Sequence, residues 1–402
     1  MYNLAKEAGV FGVNTGDVFA DWSRVIDRKN EIVRQLEGAK QSSLEERGVA
    51  VFRNRAAFVA PHEIALDGRV VQAGKVILAV GSHVSRPPVP GIEMAITSDE
   101  ALGMRALPES VAIIGGGVIA MEFAHIWNTV GVKVTILEME DRILGTVDHE
   151  VAEELALIST QRGIEIHTGT RVERVSRGDG GFAVQARTPE GEREIRVAKV
   201  MLAAGRAPNT EGMALEKVGV QVEKRGIVTN EYLQTTAPDI YSGGDADGGL
   251  FLAPVASYEG RLAARNALEG NLERADYRLV TSTVFTRPPA SSVGLTEAQA
   301  QARGRDVAVS RLSFDAIGRA VVEGETEGFV KIVEDADSGE ILGAHILGAR
   351  SEELIHEFAI AMEGGLTRQR LAKIISVHPS FSEGVIGAAM SAETGHRESC
   401  CG

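Results

Sequence analysis

The sequence predicts an α/β fold followed by a C-terminal α+β domain, and three observations lead to this prediction. From Ser110 onward, short apolar strand-like runs alternate with helical patterns, which is the order of βαβ units and implies a parallel sheet. Three consecutive glycines, Gly115–Gly117, separate the first of these strands from the helix that follows it. Residues 280–402 show a different order of elements, in which strands arranged as a meander are followed by two helices.

The N-terminal quarter of the chain predicts one long helix and several short strands. Asp21 is a suitable N-cap for a helix over residues 21–46, in which apolar residues recur at helical spacing. Asp67-Gly68 is typical of a hairpin turn, and the near-continuous apolar run ending at Gly81 is typical of a buried parallel strand. The predicted strands cover residues 49–52, 57–59, 70–71 and 75–80.

The remaining elements are predicted from the same two periodicities, 3.6 residues for helices and two for strands. Helices are predicted at residues 118–130, 148–162, 351–362 and 367–375. Strands are predicted at residues 111–114, 132–137, 164–166, 200–203, 310–312, 328–333 and 341–347.

Composition and charge argue against several classes of protein. Apolar content of 44% and charged content of 24% are ordinary for a soluble globular protein. The 42 basic and 56 acidic residues give a net charge of −14, which argues against nucleic acid or an anionic membrane as a partner. We expect no signal peptide and no membrane span, since the apolar run of residues 111–127 contains three glycines and Glu122. The predicted location is therefore the cytoplasm, and no metal site is predicted.

The glycine-rich turn predicts a site for a nicotinamide dinucleotide. The segment Gly115-Gly116-Gly117-Val118-Ile119-Ala120 fits G-x-G-x-x-G/A between a strand and a helix. Its glycines allow a tight turn and close approach of the backbone to a pyrophosphate, which the helix N-terminus attracts. Glu138 ends the next strand, where an acid binds the ribose 2′-hydroxyl and repels a 2′-phosphate. NADH is therefore predicted over NADPH, and a structural glycine turn without a ligand is the alternative.

Three further segments resemble parts of a flavin enzyme. Ile77–Ser82 is similar to a strand-and-glycine segment that crosses under a flavin, and Leu202–Asn209 is similar to the segment that closes a nicotinamide domain. Thr235–Asp245 is similar to a late flavin fingerprint, in which a strand delivers Asp245 to a ribityl hydroxyl. Leu252–Gly260 then resembles the helix whose N-terminal amides face the flavin ring.

In this order, the motifs are similar to those of the pyridine nucleotide–disulfide oxidoreductases, and the resemblance covers essentially all 402 residues. It implies two Rossmann-like domains, one for FAD and one for NAD(P), and a C-terminal α+β dimerisation domain. The implied domains are residues 1–104 with 226–279 for FAD, residues 105–225 for NAD, and residues 280–402 for dimerisation. The implied flavin contacts are Val80, Gly81, Ser82, Asp245, Phe251, Leu252, Ala253 and Pro254. The implied NAD contacts are residues 115–120 together with Glu122, Glu138, Val172 and Gly205.

A C-terminal motif adds a candidate catalytic pair. His378-Pro379-Ser380-Phe381-Ser382-Glu383 resembles the His-Pro-x-x-x-Glu segment that, in this family, reaches into the active site of the second subunit. The resemblance implies that His378 takes and returns a thiol proton and that Glu383 orients the imidazole, whose pKa suits neutral pH. A site shared between subunits implies a homodimer. The alternative is a histidine that merely precedes proline in a turn.

The chain departs from the family pattern at its N-terminus. In the family, a first G-x-G-x-x-G motif and a C-x-x-x-x-C redox pair precede the segment that begins here at Met1. The resemblance therefore implies that the FAD-binding domain lacks its first βαβ unit and that its sheet lacks the central strand. A start codon placed too late, a fragment, or a real short product without the disulfide chemistry would each account for this pattern.

The two cysteines of the sequence are adjacent, at Cys400 and Cys401. Mercuric reductases and large thioredoxin reductases end in a comparable pair, which carries electrons or a metal ion. A disulfide between adjacent residues is strained and easily reduced, because Cα atoms about 3.8 Å apart are closer than disulfides prefer. Cys400 and Cys401 are therefore candidate catalytic residues, and an incidental tail is the alternative.

The predicted activity is that of an FAD-dependent, NAD(P)H-linked disulfide oxidoreductase, most like dihydrolipoamide dehydrogenase. The predicted partners are a second copy of the chain and, as substrate, a small disulfide or dithiol or a lipoamide-bearing protein. A reductase for mercuric ion or thioredoxin that uses the C-terminal cysteine pair is a second interpretation. An NADH diaphorase or oxidase acting on a quinone or oxygen, and an inactive dimer partner, are two others.

Overall fold

The computed structural model describes residues 1–391. Its first part contains the helices α1 (Tyr2–Glu7), α2 (Trp22–Glu46) and α3 (Ser98–Gly103). The strands of this part are β1 (Ala56–Ala60), β2 (Glu63–Leu66), β3 (Arg69–Gln72), β4 (Val76–Leu78) and β5 (Ser82–Val84). The N-cap of α2 is confirmed, because the Asp21 carboxylate accepts a hydrogen bond from the Arg24 amide. The strand predicted at residues 49–52 is wrong, since this exposed segment pairs with no strand of residues 1–391.

The second part is the predicted NAD-binding domain. It consists of β6 (Ser110–Ile114), α4 (Val118–Thr129), β7 (Lys133–Leu137), α5 (His149–Gln161), β8 (Glu165–His167), β9 (Arg171–Gly178), β10 (Gly181–Thr188), β11 (Gly191–Val197) and β12 (Lys199–Leu202). Four of these strands form a parallel sheet in the order β12-β6-β7-β8. The predicted βαβ pattern is therefore confirmed here. The antiparallel sheet β11-β10-β9 is an addition that the sequence did not indicate.

The chain then returns to the first part through β13 (Arg206–Pro208), β14 (Val222–Glu223), β15 (Gly226–Ile227), β16 (Ile240–Ser242) and α6 (Ala253–Glu269). The β13 strand pairs with β5 in antiparallel fashion, and β16 pairs with β4 in parallel. The predicted parallel strand at residues 75–80 is shorter than expected and only partly buried, because β4 has a single strand neighbour among the described residues. The parallel β4–β16 pair places Ser82 and Asp245, which follow these strands, side by side.

The C-terminal domain is a five-stranded antiparallel sheet with helices. Its elements are β17 (Ser282–Val284), β18 (Ala290–Gly294), α7 (Glu297–Ala302), β19 (Val307–Ser313), α8 (Gly318–Glu323), β20 (Phe329–Asp335), β21 (Ile341–Leu347), α9 (Ser351–Glu363), α10 (Arg368–Leu371) and α11 (Ser382–Met390). The strand order is β17-β18-β21-β20-β19, so the predicted meander is confirmed. The helix predicted at residues 367–375 is limited to α10. The apolar side of α11 completes the core of this domain with buried Val385, Ile386 and Ala388.

A buried lysine joins the predicted NAD-binding domain to the C-terminal domain. Lys331 lies on β20 and is 1% exposed, and its ammonium group contacts three carboxylates. The distances to oxygens of Asp148, Glu150 and Glu297 are 3.2, 2.6 and 3.0 Å. Burial lowers the pKa of Lys331, but the hydrogen bond to Glu150 and the charge of Asp148 outweigh it and raise the pKa overall. The charged lysine therefore compensates part of the negative charge of these three carboxylates.

In residues 1–391, no helix combines the length and the apolar content that a membrane crossing requires. The same part of the chain brings together no group of three His, Cys, Asp or Glu side chains suited to a metal ion. The predicted cytoplasmic location stays a prediction.

Candidate cofactor and catalytic sites

The glycine-rich turn forms a tight bend between β6 and α4. Gly115 has a φ of +107°, and a Cβ atom at this position would lie 2.4 Å from the Ala203 carbonyl oxygen. Only glycine fits there, because of both the backbone conformation and this close approach. Gly117 is the N-cap residue of α4, and Val118 is its first helical residue. The turn therefore presents the helix N-terminus as an anion site.

Glu138 lies at the mouth of this turn, directly after β7. One carboxylate oxygen accepts a hydrogen bond from the Gly116 amide, and the other accepts one from the Glu140 amide at 2.8 Å. A Cβ atom at residue 116 would lie 2.9 Å from the Glu138 carboxylate, so the second glycine is also required. Strand, turn, helix and acid thus meet in the arrangement that the sequence predicted.

The other predicted NAD contacts are distributed around the same edge of the parallel sheet. Ala120 is fully buried and Ile119 is half-buried on α4, while Val172 is buried on β9. Gly205 follows β12 with a φ of +108°. Glu122 has a partner outside this domain, because its carboxylate accepts a hydrogen bond from the Phe285 amide at 3.0 Å. Glu122 therefore links α4 to the C-terminal domain, and its predicted proximity to a flavin stays a prediction.

The predicted flavin residues converge where β4 and β16 end. Ser242 donates a hydrogen bond from its hydroxyl to the Leu78 carbonyl at 3.2 Å, which holds the two strands together. Beyond them, the Ser82 hydroxyl donates a hydrogen bond to Oδ2 of Asp245. In the described residues, Oδ1 of Asp245 has no hydrogen-bond partner. This oxygen is therefore available as an acceptor for a ribityl hydroxyl.

The α6 helix begins close to this carboxylate. Phe251 precedes it with a φ of +54°, Leu252 is its N-cap residue, and Pro254 occupies its first turn beside Ala253. Proline suits this position because the first-turn amides have no partner within the helix. The other first-turn amides can face an electron-rich ligand.

Two residues that the sequence analysis missed stabilise the flavin side. Buried Glu259 on α6 accepts hydrogen bonds from the Gly244 amide at 2.5 Å and the Tyr277 hydroxyl at 2.8 Å. Arg206 donates hydrogen bonds to the Ser82 hydroxyl at 2.7 Å and to the Ser82 carbonyl at 2.8 Å. Arg206 stands within the Leu202–Asn209 motif, so its position beside Gly205 is the signal that could have identified it.

The described residues fit the flavin end of FAD and a nicotinamide dinucleotide. On the flavin side, they supply one ionisable acceptor, close glycine backbone and the N-terminus of α6. On the nicotinamide side, they supply a glycine cradle with an acid at its mouth. These are the donor and acceptor sets that a ribityl chain and a pyrophosphate with an adenine ribose require.

The predicted catalytic pair is formed in the C-terminal domain. Nδ1 of His378 lies 2.8 Å from one oxygen of Glu383, and the other oxygen accepts a hydrogen bond from the Ser380 amide at 2.9 Å. These two hydrogen bonds, first that of His378, lower the pKa of Glu383. Glu383 lies in the first turn of α11, while His378 precedes that helix and its side chain is 78% exposed. An oriented imidazole is thus presented on the protein surface.

The structure does not test every predicted catalytic residue. Cys400 and Cys401 lie outside the described residues 1–391. His378 belongs to the C-terminal domain, whereas Ser82 and Asp245 belong to the predicted FAD-binding domain. The predicted roles and the predicted domain boundaries remain predictions.

Comparison with protein families gives two matches that together span most of the chain. Residues 4–260 match a family described as pyridine nucleotide-disulphide oxidoreductase. Residues 280–389 match its dimerisation domain. Members of this family use FAD and NAD(P)H and act on sulfur groups.

Individual relatives carry different activities. The chain is 36% identical to a dihydrolipoyl dehydrogenase of Bacillus subtilis, over 98% of this chain and 86% of that enzyme. It is 33% identical to a mercuric reductase of Staphylococcus aureus, over 99% of this chain and 74% of the relative. Among solved structures, the HOCl-induced flavoprotein disulfide reductase RclA from Escherichia coli superposes with a TM-score of 0.85 at 32% identity, covering 96% of this chain and 88% of RclA.

Proposed function

Because this chain belongs to the pyridine nucleotide–disulphide oxidoreductase family, we propose that it is an NAD-linked flavoprotein most like dihydrolipoamide dehydrogenase. Together with the redox cysteine pair of the family, which residues 1–399 do not supply, it would couple hydride transfer between NAD(H) and flavin to dithiol–disulfide exchange on a small or lipoamide-bearing substrate. The observation that carries this proposal is the His378–Glu383 pair, with its 2.8 Å hydrogen bond. Such a pair is required for proton transfer at a thiol and has no role in simple electron transfer to a dye.

Different residues of the chain serve cofactor binding and proton transfer. When bound, the flavin supplies two-electron chemistry between nicotinamide and sulfur. The turn at Gly115 and the carboxylate of Glu138 orient the dinucleotide, and Asp245 orients the ribityl chain. Glu383, whose pKa is lowered, accepts the Nδ1–H of His378. The Nε2 atom of His378 is then the basic nitrogen that accepts a proton from a dithiol or returns it.

The position of Glu138 supports NADH as the preferred nicotinamide nucleotide. Its carboxylate is fixed by the Gly116 and Glu140 amides at the mouth of the turn, which supports a role as acceptor for the adenine ribose of a bound dinucleotide. A 2′-hydroxyl can donate to this acceptor, whereas a 2′-phosphate would be repelled by it.

One feature of the sequence supports a second candidate function. Residues 1–399 contain no cysteine. An NADH diaphorase that passes electrons through flavin to a quinone or to oxygen requires no cysteine. This candidate predicts NADH oxidation with dyes or quinones and no exchange with dithiols or disulfides.

The acid–base role of His378 is tested by His378→Ala in a flavin-loaded form of the protein that also carries the redox cysteine pair of the family. We expect oxidation of dihydrolipoamide by NAD⁺ to fall by about 100-fold or more, because positioned acid–base catalysis contributes about 10²–10⁴. Electron transfer from NADH to a dye should change by less than about twofold, since no thiol proton moves. The control is His356→Ala, which removes another exposed histidine of the same domain. Equal dithiol activity in both variants would refute the role.

The nucleotide preference is tested by Glu138→Arg. Loss of a charged acceptor for the ribose hydroxyl should reduce kcat/KM for NADH by about 10-fold or more. The kcat/KM for NADPH should rise, since arginine accommodates the 2′-phosphate. The control is Glu140→Ala, because residue 140 contributes its amide rather than its side chain to this hydrogen-bond network. A preference for NADH that is unchanged in Glu138→Arg would contradict the assignment.

A further inference from the structure

Among the described residues, Arg206 is the one whose side chain connects the end of the predicted NAD-binding domain to Asp245, the acid predicted to bind the flavin. It directly follows Gly205, which is a predicted NAD contact, and it begins β13. Its guanidinium group contacts Ser82, which lies 124 residues earlier in the sequence. Nε of Arg206 also lies 3.9 Å from Oδ2 of Asp245. Three distant segments of the chain therefore meet at a single guanidinium group.

The hydrogen bonds at this point have a fixed direction. Arg206 has only donors, so the Ser82 hydroxyl must accept from Nε and give its single proton to another acceptor. That acceptor is Oδ2 of Asp245. As a result, Oδ2 is occupied by Ser82, and Oδ1 is the oxygen left for a ligand.

The backbone around Arg206 leaves it little freedom to move independently. Strands β5 and β13 are paired in register, with Arg206 opposite Val84. Asn209 strengthens the same junction, because its side chain donates to the Val80 carbonyl at 3.0 Å and its amide donates to the Gly81 carbonyl at 2.9 Å. A displacement of the turn at Gly205 is therefore transmitted to Ser82 and Asp245.

From this geometry, and on the basis of the proposed flavin- and NAD-dependent function, we propose that Arg206 is a positioning residue that couples the nicotinamide site to the flavin site through Ser82 and Asp245. Arg206 sets the orientation of the acid that binds the ribityl chain. Occupation of the nicotinamide site beside Gly205 then alters the affinity for flavin.

The test measures FAD affinity by titration of the full chain, with and without NAD⁺, in four proteins: wild type, Arg206→Gln, Ser82→Ala and the double variant. Arg206→Gln and Ser82→Ala should each weaken FAD binding about 10-fold, as expected for loss of a charge-assisted hydrogen bond. The double variant should lose little more than either single variant, because both interrupt the same connection. The effect of NAD⁺ on FAD affinity in the wild type should disappear in all three variants.

Further variants separate positioning from general damage to the fold. Arg206→Lys keeps the charge but not the two-pronged contact with Ser82, so it should weaken FAD binding less than Arg206→Gln and still lose the effect of NAD⁺. Arg265→Gln removes a surface arginine paired with Glu273 and should leave FAD affinity unchanged. Additive losses in the double variant, or unchanged FAD affinity in Arg206→Gln, would overturn the coupling while the proposed function stands. Failure of the wild type to bind FAD would overturn both.

Discussion

Asp247 lies beside two other acids, Asp245 and Glu259, where β16 leads into α6. Burial, and then the negative charge of Glu259, raise the pKa of the Asp247 carboxyl from 3.8 to about 6. Its Oδ1 atom accepts a hydrogen bond from the Gly249 amide at 3.0 Å, which is not enough to compensate. The phenol of Tyr277 is affected by the same cluster, since burial and its hydrogen bond to Glu259 raise its pKa. The flavin side of the molecule therefore carries excess negative charge at neutral pH.

Because the ionised Asp247 carboxylate destabilises the folded state, we predict that Asp247→Asn increases the stability of the protein by an amount that depends on pH. A carboxyl whose pKa is raised by folding stabilises the native state below pH 4, and this contribution is lost as the pH rises through about 6. At pH 7, Asp247→Asn should therefore be more stable than the wild type by about 1–3 kcal/mol, with little difference at pH 4. The asparagine oxygen can still accept from Gly249.

Thermal unfolding of both proteins between pH 4 and pH 8 provides the measurement. The difference in Tm should grow with pH and level off above pH 7. Asp337→Asn, at an exposed position of the C-terminal domain, is the matched control and should show no such trend. A difference in Tm that is constant with pH would show that Asp247 does not carry this charge.

Residues within local motifs could be predicted from the sequence, whereas residues that act across long sequence distances could not. Glu138 is recognisable because it ends the strand after a glycine-rich turn, and Asp245 because it ends a strand fingerprint. Arg206 contacts Ser82 across 124 residues, and its partner depends on the pairing of β5 with β13. No periodicity or spacing in the sequence encodes that pairing.

At the scale of elements, β20 and α5 are held together by charge rather than by apolar packing alone. Lys331 is buried on β20, between β21 and the edge strand β19, and Asp148 is the N-cap residue of α5. The sequence pattern of β20 predicted a strand but gave no sign that its lysine is buried. A lysine in a strand is usually exposed, so only the tertiary arrangement identifies this one as an interdomain contact.

Lys331→Ala should strongly destabilise the protein. It leaves Asp148, which is buried, without its cation, and removal of one partner of a buried pair costs about 3–5 kcal/mol. The measurement is the urea midpoint of unfolding at pH 7. Lys199→Ala, which removes an exposed lysine at the start of β12, should cost less than about 0.5 kcal/mol. Similar midpoints for the two variants would exclude a stabilising role for the buried ammonium group.

At the scale of the whole molecule, a single copy of the chain exposes large apolar side chains on the surface of its C-terminal domain. Ile375 and Val377 are 96% and 77% exposed and lie immediately before His378. Large apolar side chains at such exposure indicate an interaction surface. The match of residues 280–389 to a dimerisation domain identifies a second copy as the expected occupant. The exposed imidazole would then lie at the junction of two subunits.

A mass measurement tests this assembly directly. Light scattering should give a mass near twice 42.8 kDa for the wild type. Ile375→Glu should shift the protein toward the monomer, because a charge buried against apolar surface is costly. Leu272→Glu changes another large exposed residue, which follows α6 outside the C-terminal domain, and should leave the dimer intact. A monomeric wild type would contradict the shared site.

The strand pair β5–β13 brings together the two ends of one long segment of the chain. The Ser85 amide donates to the Gly205 carbonyl at 3.0 Å, so the long excursion from residue 85 to residue 205 starts and finishes at neighbouring points of the backbone. A segment whose two ends meet in this way can be excised and replaced as a cassette without stretching the remainder. Grafting the corresponding segment of a relative with another nucleotide preference onto this junction is therefore a practical route to hybrid enzymes.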